Sequence, residues 1–197
     1  QGGPVIVATF DPHPVRLSQP ELPWFRLTTL DQRERLFAEA GADAMLVFHF
    51  DRTLAAKSAD EFVALLVDDF GAAGVVTGED FTFGRGRSGT VDLLRALGAA
   101  HGLAAEAVAP VLDERGEVVS SSRIRAALMV GDCATATRLL TRPFAIQGEV
   151  VHGDKLGRTI GFPTTNMLLD HYLRPAYGIY AVTVRLADGR VIGGAAN

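Results

Sequence analysis

Three short β-branched or apolar runs open the chain, "PVIVATF" (4–10), "DAMLVFHF" (43–50) and "GVVTGEDF" (74–81), and two amphipathic helical patterns separate them. Strands that alternate with helices of this length leave little choice of fold, because a parallel neighbour can be reached only by a long crossover, which a helix supplies. Each helix carries its own start signal. Thr29 with Gln32 and Ser58 with Glu61 fit the capping box, in which two side chains satisfy each other's free backbone amides. A further helix near 90–100, a strand over "AEAVAP" and helices opening at "SSSRIRAALMVGD" and running through "ATATRLL" extend the pattern. From Phe144 onward the period changes to that of strands, "FAIQGEVVHG" and then "GIYAVTVRLADGRVIGGAAN", with Asp188-Gly189 as the hairpin turn. The reading is α/β: a parallel-sheet domain over residues 1–142 and an antiparallel barrel or sheet over 143–197.

The composition excludes several classes. The 197 residues carry a net charge of -4, and phosphate-backbone binders usually carry a basic surplus, so no nucleic-acid partner is expected. No apolar run reaches the length of a membrane span, so no membrane partner is expected either, while self-association is allowed. The single cysteine, Cys133, cannot form an intrachain disulfide, which fits a reducing cytosol; it reads as a small semi-buried residue.

In a parallel sheet, ligands gather beyond the carboxyl ends of the strands. Two loops sit there. "TFDPHP" (9–14) holds Asp11 and His13 between prolines that stiffen it, which suits either a plain turn or a polar pair aimed at a ligand. His13 has no cysteine or second histidine at metal-ligand spacing, which argues against zinc. "TGEDFTFGRGRSG" (77–89) mixes glycines, two phenylalanines and two arginines; it suits a planar ring with a phosphate tail, or else an ordinary surface loop. "VVSSSRIRAAL" (118–128) runs three serines into a helix with Arg123 and Arg125. One serine suffices to cap a helix, whereas three with two arginines suit an anion site.

The segment "GDKLGRTIGFPTTN" (153–166) interrupts the strand pattern with polar chemistry. Gly153, Gly157 and Gly161 permit a tight loop over phosphates, Lys155 and Arg158 supply charge, and Thr164 and Asn166 supply neutral oxygens for a hydrated Mg²⁺. It lacks the GK[ST] of a Walker loop and the GxGxxG of a dinucleotide site.

Taken in order, "TFDPHP", "TGEDFTFGRGRSG", "VVSSSRIR", "GEVVHGDKLGRTIGFPTTN" and "GIYAV" resemble the bacterial bifunctional riboflavin kinase/FMN adenylyltransferases, also called FAD synthetases. The resemblance spans nearly the whole chain, from about Val5 to Asn197. It implies a nucleotidyltransferase-like, Rossmann-like domain that joins AMP from ATP to FMN, followed by a β-barrel domain that phosphorylates riboflavin. It implies Ser121, Ser122 and Arg125 near the ATP phosphates, where "VSSSRIR" resembles Ile-Ser-Ser-Thr-x-x-Arg and Ser122 stands for the commoner Thr. It implies Asp80 at the nucleotide-flavin site; Phe81 and Phe83 in the same loop, and Asp11 and His13 in the other, are candidates for cofactor binding from their own chemistry. It implies Thr164 and Asn166 at Mg²⁺ and phosphate in the kinase site, with Thr165 replacing the usual Ala of Gly-Phe-Pro-Thr-Ala-Asn.

On the same resemblance, the Gly/His-rich signature of the adenylyltransferase and the catalytic Glu of the kinase fall outside Gln1–Asn197, so the chain is expected to be part of a longer protein. The expected substrates and products are ATP, riboflavin, FMN and FAD, with Mg²⁺, in the cytoplasm. A single-activity nucleotidyltransferase with an inactive barrel and a non-catalytic flavin- or nucleotide-binding module are the two other readings.

Overall fold

The computed structural model describes residues 2–151 and 164–197. They group into two compact units, one of residues 1–22 and 34–119, the other of residues 23–33 and 120–197.

In the first unit, β1 (Ile6–Asp11) pairs in parallel with β2 (Ala44–His49), from Ile6 opposite Ala44 to Asp11 opposite His49. A short helix α1 (Val15–Ser18) follows β1, and α2 (Leu30–Glu39), whose first four residues are grouped with the second unit, precedes β2. A second parallel pair joins β3 (Gly74–Gly78) to β4 (Ala104–Val108) through α5 (Val91–His101). Between β2 and β3 run α3 (Arg52–Ala56) and α4 (Ala59–Ala64), which continues into a π-helical turn (Leu65–Asp69). The sequence pattern of alternating strands and helices is thus present as two parallel pairs.

One core serves both pairs. Phe48, Phe62, Val63, Leu66, Phe83, Leu94 and Leu103 are buried together, and Phe10, Leu46, Val75 and Ala105 pack against them. Each strand pair offers alternate side chains to this core, as the period of two requires. Val63 and Leu94 are fully enclosed, with 0% and 1% exposure.

Helix starts follow the residues that read as caps. Ser58 accepts from the Glu61 amide at 3.2 Å while the Glu61 carboxylate accepts from the Ser58 amide at 2.6 Å, a complete capping box. Gln32 and Thr29 make the same reciprocal pair, at 2.9 and 3.2 Å. Thr90 caps α5, and Gly102 closes it at φ +76°, where a side chain would be strained.

The second unit contains α6 (Ser121–Met129) and α7 (Cys133–Leu140), packed through Ile124, Ala127, Leu128, Ala136 and Leu139. Antiparallel pairs follow: β5 (Val150–Val151) with β6 (Asn166–Met167), and β7 (Tyr180–Arg185) with β8 (Val191–Ala196). The β7–β8 turn runs through Asp188-Gly189 as expected, with Gly189 at φ +87°. Two expectations are corrected. The alternation that begins at Phe144 yields strand pairing only at Val150–Val151, because residues 144–149 find no ladder partner among the described residues. Cys133 is exposed rather than semi-buried, since it opens α7 next to the capping Asp132 and faces outward there.

Candidate functional site

Within the first unit, both polar loops lie beyond the carboxyl ends of parallel strands. β1 ends at Asp11, and the Asp11–Pro12 bond is cis. The next turn is held by His13, whose Nδ1 accepts from the Val15 amide at 3.2 Å; the His13 side chain is exposed. β3 ends at Gly78, where the Phe81 amide donates to the Gly78 carbonyl at 3.1 Å and closes a tight turn around exposed Asp80. A side-chain carbon at Gly78 would lie 3.0 Å from Asp80 Oδ1, so glycine there lets the carboxylate fold back over the strand end.

Phe81 and Phe83 are brought together, their rings stacked at 5.7 Å and 12°. Their environments differ. Phe83 is 6% exposed and belongs to the core, tied to Gly89 by paired backbone bonds of 3.1 and 2.8 Å, whereas Phe81 is half-buried and packs against that core from its margin. Arg87 Nε donates to Thr82 Oγ1 at 2.9 Å, and Gly84 holds φ +70° with its α-carbon pressed against the Ala59 backbone. The buried Thr77 hydroxyl, one residue before the end of β3, has no hydrogen-bond partner among the described residues.

In the second unit the three serines divide their labour. Ser120 is the N-cap, its Oγ accepting from the Arg123 amide at 3.3 Å, which leaves exposed Ser121 and Ser122 on the first turn unneeded for capping. Arg125 lies one turn in and is half-buried. Its Nε–H donates to the Phe25 carbonyl at 2.9 Å, and its guanidinium carbon sits 5.1 Å from the Phe25 ring centroid. Burial pushes the Arg125 guanidinium below its ordinary value, the direction expected for a cation withdrawn from water.

Sequence reasoning missed the partner of Arg125. "LPWFR" (22–26) supplies Phe25, and it also supplies Trp24, whose ring centroid lies 3.8 Å from that of His171 with the planes tilted by 33°. A cleft of about 260 Å³ is lined by Arg26, Thr28, Thr29, Asp170, His171 and Tyr172. Asp170 stands at its rim with φ +41°. An aromatic pair between a proline and an arginine was the available signal, but nothing local said which residue a hundred positions away it would meet.

Thr164 and Asn166 are both exposed, and Asn166 opens β6 opposite Val151. Their donor set is two neutral oxygens, which fits a hard cation that keeps most of its ligands as water and phosphate. Gly153, Lys155, Gly157, Arg158 and Gly161 lie outside the described residues. Among the described residues no cluster of three His, Cys, Asp or Glu side chains could hold a metal, and no helix is long and apolar enough to cross a membrane.

Parallel strand pairs with polar loops at their carboxyl ends, and a helix start carrying spare hydroxyls and a guanidinium, define an α/β protein with an antiparallel segment after it. The chain belongs to the FAD synthetase family, whose model matches residues 1–123, and residues 140–197 match the model of riboflavin kinase. It is 41% identical to the bifunctional riboflavin kinase/FMN adenylyltransferase of Escherichia coli strain K12 over 98% of its length, and 35% identical to that of Bacillus subtilis over 100%. The chain spans 62% of the length of each of these relatives. A crystal structure described as the macrolide-efflux protein of Streptococcus pneumoniae superposes with a TM-score of 0.84 at 33% identity, covering 98% of this chain and 62% of that one.

Proposed function

We propose that the protein carrying this chain makes FAD from riboflavin in two ATP-dependent steps, with an adenylyltransferase domain over residues 1–142 and part of a riboflavin kinase β-barrel over 143–197. The observation that carries this reading is the order of the two family matches along one chain, at 35–41% identity to relatives named for both activities.

In the first step the riboflavin 5′-hydroxyl oxygen attacks the γ-phosphorus of ATP. The bond from that phosphorus to the β-bridging oxygen breaks, ADP leaves, and the hydroxyl proton passes to a general base. Gly153, Gly157 and Gly161 let the loop approach the phosphates, while Lys155 and Arg158 balance their charge. Thr164 and Asn166 would hold Mg²⁺, which when bound neutralises phosphate charge and orients the transferred group.

In the second step a phosphate oxygen of FMN attacks the α-phosphorus of a second ATP, the α–β bridge breaks and pyrophosphate leaves. Ser121, Ser122 and Arg125 receive the departing pyrophosphate. The Asp11–His13 loop, Asp80 and half-buried Phe81 bind the nucleotide and the flavin ring, with Phe83 stacked on Phe81 from the core. Both reactions draw on ATP, and we place them in the cytoplasm.

Incubating the purified full-length protein with riboflavin and ATP, and resolving flavins by chromatography, should yield FMN and then FAD. Product limited to FAD from supplied FMN would leave a single-activity nucleotidyltransferase, and no product would leave a binding module. Asn166→Ala should cut FMN formation by about 10²-fold, the usual cost of losing one fixed polar group at a reacting centre, while FAD formation from supplied FMN persists. Equal loss of both activities would defeat the two-site assignment.

A further inference from the structure

An arginine that is to meet an anion needs its two terminal nitrogens unoccupied and its plane fixed; a guanidinium swinging on four rotatable bonds offers neither. Arg125 meets both conditions through one neighbour. The Phe25 carbonyl takes the Nε–H at 2.9 Å, and the Phe25 ring lies under the guanidinium at 5.1 Å, so one contact fixes the edge and the other the plane. The Nη1 and Nη2 groups carry no hydrogen bond among the described residues. They remain as a two-pronged donor.

The backbone next to Phe25 is held at Arg26. The Arg26 amide donates to the His171 carbonyl at 3.1 Å and the Leu173 amide donates to the Arg26 carbonyl at 2.9 Å, a parallel bridge across Tyr172. Behind it, the Tyr172 hydroxyl donates to Gln32 Oε1 at 2.7 Å and accepts from the Gln147 amide at 3.1 Å, while Gln32 Nε2 donates to the Ala145 carbonyl at 3.1 Å. Gln32 and Tyr172 are 4% and 3% exposed, so this network is shielded from competing water. Buried polar groups that are each satisfied make a rigid support, and rigidity is what a group awaiting charge in a transition state requires.

We infer that Phe25 is the positioning residue of Arg125, holding its guanidinium edge and plane so that Nη1 and Nη2 meet the departing pyrophosphate of adenylyl transfer. The inference rests on the proposed role of Arg125 in that step. It adds that residues 23–33, distant in sequence from the serine-arginine helix, set its efficiency.

The test uses the full-length protein with FMN and ATP, comparing Phe25→Leu, Phe25→Tyr, Arg125→Ala and the double variant Phe25→Leu/Arg125→Ala, with FMN formation from riboflavin and thermal melts measured alongside. Leu keeps the backbone carbonyl and much of the volume but removes the ring face; Tyr keeps the face. The expected result is a kcat for FAD synthesis lowered about tenfold in Phe25→Leu with little change in the KM for ATP, and recovered in Phe25→Tyr, the split that marks an interaction made in the transition state. The double variant should be no slower than Arg125→Ala alone, since the two residues act as one unit. If Arg125→Ala slows FAD synthesis but Phe25→Leu does not, or if the two losses multiply, the positioning role is overturned while the Arg125 assignment stands. If Arg125→Ala itself synthesises FAD at the parent rate, the underlying site assignment fails and the inference fails with it. Should Phe25→Leu and the milder Phe25→Met both melt lower and lose the two activities equally, the residue is structural only and the inference is overturned.

Discussion

The first-unit strands and the β7–β8 hairpin have similar apolar content, yet they end in opposite environments. β2 and β3 place Phe48 and Val75 in or against a core closed by Leu94 and Leu103, whereas β8 is exposed at every residue, from Val191 to Ala196. Among the described residues, connectivity is one source of the difference. A parallel neighbour can be reached only through a crossover, and the crossover helix brings covering apolar surface with it: α5, which links β3 to β4, contributes Leu94. An antiparallel neighbour needs only a turn, here closed by the Leu186 amide donating to the Arg190 carbonyl and the Gly189 amide to the Leu186 carbonyl, each at 2.9 Å, and a turn covers nothing.

The comparison can be broken most sharply by two truncations. Leu94 is 1% exposed, and Leu94→Ala should cost about 2–5 kcal/mol, as removal of a fully enclosed side chain does. Ile192 is 48% exposed, and Ile192→Ala should stay within about 0.5 kcal/mol. Denaturant unfolding of both variants measures the two values. A cost at Ile192 as large as at Leu94 would mean that further surface covers the hairpin in the whole protein, and the contrast drawn from connectivity would fall.

How much of this the sequence discloses follows the same division. Local physics was legible. Thr29 with Gln32, Ser58 with Glu61, and the Asp188-Gly189 turn are decided by residues within a few positions of one another, and each stands where the pattern puts it. Partner choice was less so. The alternation over 144–149 specifies a face but not a neighbour, and only Val150–Val151 pairs. Arg125 read as an anion ligand from its own segment, but the ring and carbonyl that hold it belong to Phe25, a contact of a kind that no periodicity encodes. Phe81 and Phe83 look equivalent in "DFTF", and burial separates them.

A smaller effect sharpens the claim that first-unit helices begin where their caps dictate. Ser58→Ala should destabilise by about 1 kcal/mol, the usual cost of an N-cap. The Glu61 side of the box gives it a pH signature. The Ser58 amide, donating to the Glu61 carboxylate at 2.6 Å, holds that carboxyl below its ordinary value, with the Ser58 side chain adding to it. A group whose folded pKa is depressed contributes stability above its unfolded pKa and loses it as pH falls through the folded one. Wild type should therefore melt above Glu61→Gln at neutral pH, and the gap should narrow as pH falls below the ordinary carboxylate range. A gap that persists unchanged in acid would remove the carboxylate from the box.

The smallest expected effect concerns Thr77, where the covered side of the comparison carries a defect. Its hydroxyl is buried on β3, one residue from the strand end and the loop that holds Asp80, and has no hydrogen-bond partner among the described residues. Burying such a group without a partner is unfavourable, so replacement by an apolar residue of the same shape removes a cost rather than adding one. Val matches Thr in shape and suits a strand. Thr77→Val should leave stability unchanged or raise it by up to about 1 kcal/mol in denaturant unfolding without ligands. A loss of about 1 kcal/mol or more would mean that the hydroxyl is satisfied in the folded protein, by water or by chain outside the described residues. The strand end at Gly78 would then be a hydrated or covered polar position, and the packing argued for β3 would stop one residue earlier.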